Sequence, residues 1–415
     1  MSTATLEVYL YGNFCGHLVN QGPDSWGWQA RSTPESDPGL IWSLRNITST
    51  SINPQEVRCW FRALLPEAAA TLRLALKAGV SPGNDFALLG ALANDCQGAV
   101  TLALPGRPAE APQPLEPLAG AAVDELVEAL REGRPGAALA GALWPGDGAV
   151  APMVANGPGL ARCGVGKPAN VLLRAGRYGL PEALPNEAFC TELAGRLGLP
   201  VAGARFVTGP RAYLLGRRPD TVAGPDGRDL RLHLETFGQL AGLAPELGYE
   251  REGGLALLDC AGLIRRYSIV PALDLRSFLR WVGFNLIVGN GLASAGSLRF
   301  LFTPNGPRLA PFTDLLSTHV YPDMSDRMGF FVGHEDRPDW LVPARWRELA
   351  GELGVAPRYL LTLLRELALA TGPSLEQAST AWRDAYHWSP VLEHVAQLVG
   401  NRARRLWVAL EAEQA

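Results

Sequence analysis

The stretch from Phe284 to Thr318 restricts the fold of this chain more than any other part of the sequence. It begins as the apolar end of a helix and is then broken by Gly289-Asn290-Gly291. Two short strand-like segments follow, separated by a Pro-Asn-Gly turn, and the second one leads to Asp314. Because such glycine breaks end helices and such turns close hairpins, the pattern predicts helix, loop, hairpin and loop in that order. It therefore predicts two neighbouring loops, one at Asn290 and one at Asp314.

Length and charge limit the class of protein. The chain has 415 residues and is 47% hydrophobic, which is enough for a large core and for two or three domains or lobes. Its 37 basic and 41 acidic residues give a formal charge of −4, so direct nucleic-acid binding through bulk charge is not indicated. The N-terminus lacks a signal-peptide pattern, and no apolar window approaches the roughly 18 residues of a membrane span. We expect no membrane insertion and a cytoplasmic protein.

The cysteines predict neither disulfides nor a zinc site. None of the six is part of a C-x-x-C pair, and the usual zinc ligand spacings are missing. We expect buried, reduced thiols. Lysine is scarce and arginine carries nearly all the positive charge, which is typical of a GC-rich bacterium.

Local patterns predict β-structure at the N-terminus and helices at the C-terminus. Residues 6–20 alternate as a hairpin, residues 26–30 continue as a third strand, and Asn53 and Pro54 cap and open a helix. A Pro- and Ala-rich segment over 105–122 predicts a linker, followed by a short helix over 124–131. Apolar residues at helical spacing predict the C-terminal helices, at 273–288, 340–353, 359–370 and 389–413.

The second of the two loops carries the most specific sequence, LAPFTDLLST, over Leu309 to Thr318. It resembles the metal loop of the HipA-like serine/threonine kinases, L-A-P-x-x-D-L-L-S-T. The catalytic loop of that family is G-N-x-D-x-H-x-K-N, and only its Gly-Asn start is present here. The family's base Asp, its His, its Lys and its second metal-binding Asn fall in turn on Leu292, Ser294, Gly296 and Ser297. The resemblance implies Asp314 as the metal ligand and leaves no confident catalytic residue.

The phosphate-covering loop of the family, S-L-A-G-A-Q-x-K, is matched only in its middle. Its Leu-Ala-Gly-Ala segment corresponds to Leu139, Ala140, Gly141 and Ala142, which the resemblance implies as nucleotide-binding positions. The family's autophosphorylated Ser is Ala138 here. Leu143 and Pro145 replace its Gln and Lys, with Trp144 between them.

Two further positions match the nucleotide-binding part of the family. Arg174 ends a segment that resembles the strand P-S-T-H-I-L-K, and so takes the place of the nucleotide-contacting Lys. Glu187 lies in a helix predicted from Pro185 to Leu197 that resembles the family's N-E-x-F helix. The resemblance implies that Glu187 partners the strand cation. The alternative is that an acid near a helix start only complements the helix dipole.

Other segments extend the resemblance over residues 5–400. Phe61 to Glu67 resembles F-x-x-L-L-P-E, Arg218-Pro219-Asp220 resembles R-[FY]-D-R, and Met328 to Gly333 resembles a strand and glycine turn after the metal loop. The implied fold is α+β, a two-lobed kinase-like fold with a small N-terminal β-rich subdomain and a mostly helical C-terminal lobe. We expect a subdomain over 1–104, a linker over 105–122, a nucleotide lobe over 123–255 and a helical lobe over 256–415.

Three functions remain open at this stage. The first is a HipA-like pseudokinase that binds a protein or peptide partner, such as a small HipB-like DNA-binding antitoxin, with ATP and Mg²⁺ bound weakly or not at all. The second is an active ATP-dependent phosphotransferase or nucleotidyl transferase that uses Arg174 and Asp314 in a rearranged site. The third is a structural subunit in which Asp314 only caps a loop or a helix.

Overall fold

The N-terminal residues form the sheet that their alternation predicts. In the computed structural model, β1 (Thr5–Leu10) and β2 (Asn13–Gly22) form a hairpin, and β3 (Ser25–Ala30) and β4 (Val100–Ala103) complete an antiparallel sheet of order β3-β2-β1-β4. Alternate residues of β1 are buried, as expected for a strand with one face on a core. The residues described are 4–31, 53–106, 115–134, 143–146, 149–157, 159–163, 168–177, 179–224 and 229–413.

The chain divides into two compact units. The first consists of Met1–Gly179 and Phe206–Pro245, and the second of Leu180–Arg205 and Glu246–Ala415. The domain boundaries expected from the sequence stay a prediction.

Three helices pack on the N-terminal sheet of the first unit: α1 (Pro54–Arg62), α2 (Ala68–Ala78) and α3 (Asp85–Leu92). The predicted start of α1 is confirmed, because the Asn53 side chain accepts a hydrogen bond from the backbone N–H of Gln55 at 3.0 Å. Aromatic side chains from the sheet and from α1, among them Trp26, Trp60 and Phe61, form the centre of this core.

A second sheet follows in the first unit. Five of its strands, in spatial order, are β5 (Glu116–Leu118), β7 (Gly159–Arg162), β6 (Val150–Asn156), β8 (Val171–Arg174) and β10 (Tyr213–Arg217), and each is antiparallel to its neighbour. The helix α4 (Gly120–Arg131) contributes Val123, Leu126, Val127 and Leu130 to the core beneath this sheet. It begins four residues before the predicted position, and β5 also lies in the predicted linker over 105–122. The remaining strands of this part of the chain are β9 (Ala204–Val207), β11 (Thr221–Ala223), β12 (Asp229–Arg231) and β13 (His233–Thr236), and the short helix α6 (Phe237–Ala241) follows them.

The second unit is mainly helical, as predicted. Its helix α8 (Pro271–Val288) is buried along much of its length. The ring of Phe189 packs edge-on against those of Trp382 and Trp388, with centroids 5.9 and 5.6 Å away. The prediction of a strand over 328–333 is wrong, since the structure has only an isolated bridge between Val332 and Glu335 there. The elements of this unit are α5 (Ala183–Arg196), α7 (Leu257–Tyr267), α8 (Pro271–Val288), β14 (Arg299–Thr303), β15 (Gly306–Leu309), α9 (Pro343–Glu352), α10 (Pro357–Ala385) and α11 (Pro390–Glu411).

The mixture of sheets and helices confirms the predicted α+β class. All six cysteines are buried and none forms a disulfide, also as predicted. Burial raises the pKa of Cys163 to about 11 and that of Cys190 to about 12. None of the helices in the described residues has the length and apolarity needed to span a bilayer.

Candidate functional site

The helix α8 ends at the break that the sequence predicts. Gly289 caps it with a left-handed backbone, φ 70°, and the backbone N–H of Asn290 donates to the carbonyl of Asn285 at 2.9 Å. A Cβ at Gly289 would collide with the guanidinium of Arg402 and would lie 3.0 Å from the Cβ of His319. Glycine is therefore required here both by the backbone and by close packing.

Asn290 joins the two predicted loops. Its side chain is 1% exposed, and its Nδ2 donates to the Asn285 side-chain oxygen at 2.9 Å and to the Asp314 carbonyl at 3.0 Å. Its Oδ1 has no hydrogen-bond partner among the described residues. The loops at Asn290 and Asp314 thus lie side by side, which confirms the arrangement predicted from the sequence.

Asp314 lies in a loop and has a left-handed backbone, φ 58°. Its Oδ2 accepts a hydrogen bond from the Thr313 hydroxyl at 2.8 Å, and Nη1 of Arg299 donates to that hydroxyl at 3.0 Å. Arg299 Nη1 also donates to the carbonyl of Ser297, at 3.3 Å. No helix begins after Asp314, so the suggestion that this residue caps a helix is wrong.

The residues after Asp314 attach the loop to its surroundings in the second unit. The Thr318 hydroxyl accepts from the backbone N–H of Gly291 at 2.8 Å and donates to the carbonyl of Gly289 at 3.2 Å. The fully buried Asn186 of α5 bonds both to the carbonyl and to the N–H of Ser317, at 2.8 and 2.9 Å. Both loops are thus fixed by hydrogen bonds within the protein.

His319 packs closely against the glycines of the first loop, Gly289 and Gly291. Nη2 of Arg402 donates to its Nδ1 at 3.0 Å. Burial, together with the charge of Arg402, lowers the pKa of His319 to about 4, so the ring is neutral at pH 7. A neutral ring can accept the hydrogen bond from Arg402, whereas a protonated ring would place two cations in contact.

The four positions that match the family's Asp, His, Lys and Asn hold uncharged residues. Leu292 lies partly buried in the turn after Asn290, and the hydroxyl-bearing Ser294 is buried. Gly296 is exposed, and Ser297 ends a single turn of 3₁₀ helix.

The remaining predicted site residues are distributed over both units. In the first unit, Arg174 ends β8 with its Cα opposite Val150 on one side and Leu214 on the other. In the second unit, Glu187 is buried in α5, which begins at Ala183. Glu187 is therefore past the first turn, and its role as a helix-start acid is wrong. The predicted positions Leu139, Ala140, Gly141 and Ala142 lie outside the described residues.

The first unit contains a buried charge cluster for which the sequence motifs predict no role. Arg218 and Asp220 are both fully buried and form a bidentate ion pair, in which Nε and Nη2 of Arg218 donate to the Asp220 carboxylate at 3.0 and 2.8 Å. Arg218 also donates to Asp95 at 3.2 Å and to the carbonyl of Cys96 at 2.8 Å, and Arg231 reaches Asp220 at 3.3 Å. Burial favours the neutral form of Asp220, but Arg218, Arg231 and the Gly98 N–H outweigh it and lower the pKa of Asp220.

The residues present fit a kinase magnesium site poorly. Kinases hold magnesium with the metal-loop Asp and the catalytic-loop Asn. Asp314 is in place, but Ser297 offers a neutral hydroxyl instead of an amide oxygen, and Oδ2 of Asp314 accepts from Thr313. Among the described residues, no group of three or more His, Cys, Asp and Glu side chains could hold a metal ion.

Comparison with known proteins places the chain in a family. Residues 6–103 match the HipA N-terminal domain, and residues 162–374 match the HipA-like C-terminal domain. The chain is 35% identical to the "Putative kinase Y4mE" of Sinorhizobium fredii, over 97% of this chain and 99% of that protein. It is 26% identical to the serine/threonine-protein kinase toxin HipA of Shewanella oneidensis, over 89% of this chain and 88% of that protein.

A solved structure confirms the fold. The HipA chain in the Shewanella oneidensis complex of HipA, HipB and operator DNA superimposes with a TM-score of 0.84. The two chains are 21% identical, and the match covers 98% of each. The two-lobed HipA fold predicted from the sequence is thus confirmed, and the chain belongs to the HipA-like kinase family.

Proposed function

We propose that this protein is a HipA-like pseudokinase, which binds a protein or peptide partner and has lost phosphoryl transfer to serine and threonine. The observation that carries the proposal is Leu292. It stands at the position of the family's base, and no change of pH can give its side chain a charge or a proton to exchange.

The physical argument concerns the electrostatics of phosphoryl transfer. The protein contributes mainly positioning and charge, through a base, metal ligands and a phosphate-holding cation. Loss of a general base alone costs roughly 10²–10⁴-fold in rate. Here Ser297 replaces the second metal ligand and Gly296 replaces the loop lysine, so further loss is expected. ATP and Mg²⁺ are accordingly proposed to bind weakly or not at all.

A HipB-like antitoxin is the partner that the family suggests. The Shewanella oneidensis relative is solved as a complex with HipB and its operator DNA, and that finding concerns the relative. We propose that this chain also acts through a small DNA-binding partner, so that any effect on DNA is indirect. The formal charge of −4 is compatible with binding to DNA through a partner.

Intact-mass spectrometry after incubation with Mg²⁺ and ATP tests the loss of transfer. We expect no added phosphate on the wild-type protein or on a peptide library, with the Shewanella oneidensis HipA as the positive control. A phosphate on serine or threonine that disappears in Asp314→Ala would contradict the proposal. A thermal shift with Mg²⁺ and ATP tests binding separately, and we expect a shift much smaller than for the control protein.

An alternative is transfer by a rearranged site, and the unaltered Asp314 together with the cation at Arg174 favours it. The same spectra distinguish it, because nucleotidyl transfer adds the mass of AMP and kinase activity adds the mass of phosphate. The alternative predicts that one of these gains requires both Arg174 and Asp314.

A further inference from the structure

Arg299 brings a permanent positive charge to the metal loop. It is the first residue of β14, two positions after the place of the family's second metal ligand. Its Nη1 donates to the Thr313 hydroxyl at 3.0 Å, and that hydroxyl donates to Oδ2 of Asp314 at 2.8 Å. The guanidinium and the carboxylate are therefore connected through a single hydroxyl group.

The backbone around this relay is also fixed. Arg299 Nη1 donates to the carbonyl of Ser297 at 3.3 Å, and the Ala310 N–H donates to the carbonyl of Arg299 at 2.8 Å. Asn290 holds the carbonyl of Asp314 at 3.0 Å. Arg299 thus contacts the end of the first loop and, through Thr313, the acid of the second loop.

The charge balance disfavours a divalent cation at this place. An arginine stays protonated at every physiological pH, so its charge cannot be withdrawn when a metal approaches. Magnesium loses its water reluctantly and needs carboxylate oxygens to compensate, whereas this loop offers one Asp whose carboxylate already accepts a hydrogen bond. A nearby guanidinium would repel the ion further.

We infer that Arg299 takes the place of the divalent cation at the Asp314 loop, acting through Thr313, so that the loop keeps its geometry without magnesium. The inference rests on the proposed loss of phosphoryl transfer and adds a reason why the loop persists after that loss. It makes Arg299 a positioning residue, and its removal leaves the Asp314 carboxylate without the guanidinium that is linked to it through Thr313.

A magnesium titration without nucleotide, followed by thermal unfolding, tests the inference. The wild-type protein is expected to show no magnesium-dependent shift. Arg299→Met removes the guanidinium and keeps an apolar stem, so magnesium should raise its melting temperature. At a concentration tenfold above the dissociation constant the shift should be about 3–6 °C for a unit of this size. The shift should vanish in Arg299→Met combined with Asp314→Asn.

The matched control is Arg345→Met. Arg345 pairs with Glu348 at 2.7 Å on an exposed helix face. The variant therefore also removes an arginine from a carboxylate, but away from the Asp314 loop. No magnesium response is expected from it. If Arg299→Met does not fold, Thr313→Val interrupts the same relay and should show a smaller shift of the same sign.

Two results would overturn the inference. One is a magnesium shift in the wild-type protein as large as in the variants, and the other is the absence of a shift in the folded variants. Because no ATP is present, these results are independent of the transfer assay. Phosphate transfer by the wild-type protein would contradict the proposed function. The magnesium titration would still show whether Arg299 keeps magnesium from the Asp314 loop.

Discussion

Replacement of Arg218 by methionine is expected to be among the most destabilising single changes in the first unit. Arg218 is 0% exposed and has hydrogen bonds to Asp220, Asp95 and the carbonyl of Cys96. Its guanidinium also lies 4.8 Å from the centre of the Trp144 ring. Methionine keeps the apolar stem against Trp144 but leaves Asp220 buried without its main partner.

These contacts set limits on the expected loss in the free energy of unfolding. Removing one member of a buried ion pair costs about 3–5 kcal/mol, mostly because the other charge stays buried. Asp220 keeps Arg231 at 3.3 Å and the Gly98 N–H at 2.7 Å, so the lower end of the range applies. For a unit of this size, about 3 kcal/mol corresponds to a fall in melting temperature of roughly 6–12 °C.

The effect should also depend on pH with a defined sign. The pKa of Asp220 is lowered in the folded protein, so its contribution is present above the unfolded pKa of about 3.9 and is lost as pH falls through the lower folded value. Removing Arg218 takes away the largest cause of that lowering. The difference in stability between wild type and Arg218→Met should therefore shrink on acidification.

Urea denaturation followed by tryptophan fluorescence measures the loss, and hydrogen exchange of the Gly98 amide reports on it locally. The control is Arg211→Met, which breaks an exposed pair with Glu128 at 2.9 Å and should cost less than about 1 kcal/mol. If Arg218→Met is as stable as this control, the buried cluster does not stabilise the first unit and the reasoning is refuted.

Three further predictions follow from single features. The pKa of His319 is lowered to about 4, so between about pH 6.5 and 4 the unfolded chain binds more protons than the folded protein. The free energy of unfolding should therefore decrease by up to about 3 kcal/mol as the pH falls through this range. His319→Gln should remove this pH dependence in acid titrations followed by circular dichroism. Asn53→Ala should lower the free energy of unfolding by about 1 kcal/mol in urea denaturation, because the N-cap of α1 is lost. Asn53→Ser should keep most of the stability, because serine is also a good N-cap. A thiol reagent should label no cysteine of the native protein and all of them after unfolding, and labelling of the native protein would contradict their burial.

Local sequence patterns predicted the elements well where one short rule decides the outcome. Alternation gave β1 to β3, Asn53 with Pro54 gave the start of α1, and Gly289 gave the end of α8. The start of α5 was placed at Pro185, two residues late. A proline in the first turn lacks only an N–H that the helix leaves unpaired in any case, so it marks the first turn and not the first residue.

The polar networks could not be predicted from local patterns. Asp95 and Arg218 are 123 positions apart, and Asn186 and Ser317 are 131 apart. No periodicity connects such residues. Arg299 illustrates the same limit, since it follows the catalytic-loop motif and no family position draws attention to it.

The persistence of the metal-loop sequence has a structural explanation that needs no nucleotide. The Thr318 hydroxyl holds the Gly289 turn through two hydrogen bonds, and Leu315 and Leu316 are fully buried. Ser317 is also buried, and its backbone N–H and carbonyl bond to Asn186 of α5. Substitutions there would disturb the packing of the second unit. Leu292 and Gly296, by contrast, lie in partly or fully exposed parts of the other loop, where the fold sets fewer demands. Under the proposed loss of phosphoryl transfer, packing alone is therefore expected to retain the buried residues 315–318, while the catalytic loop is free to change at Leu292 and Gly296.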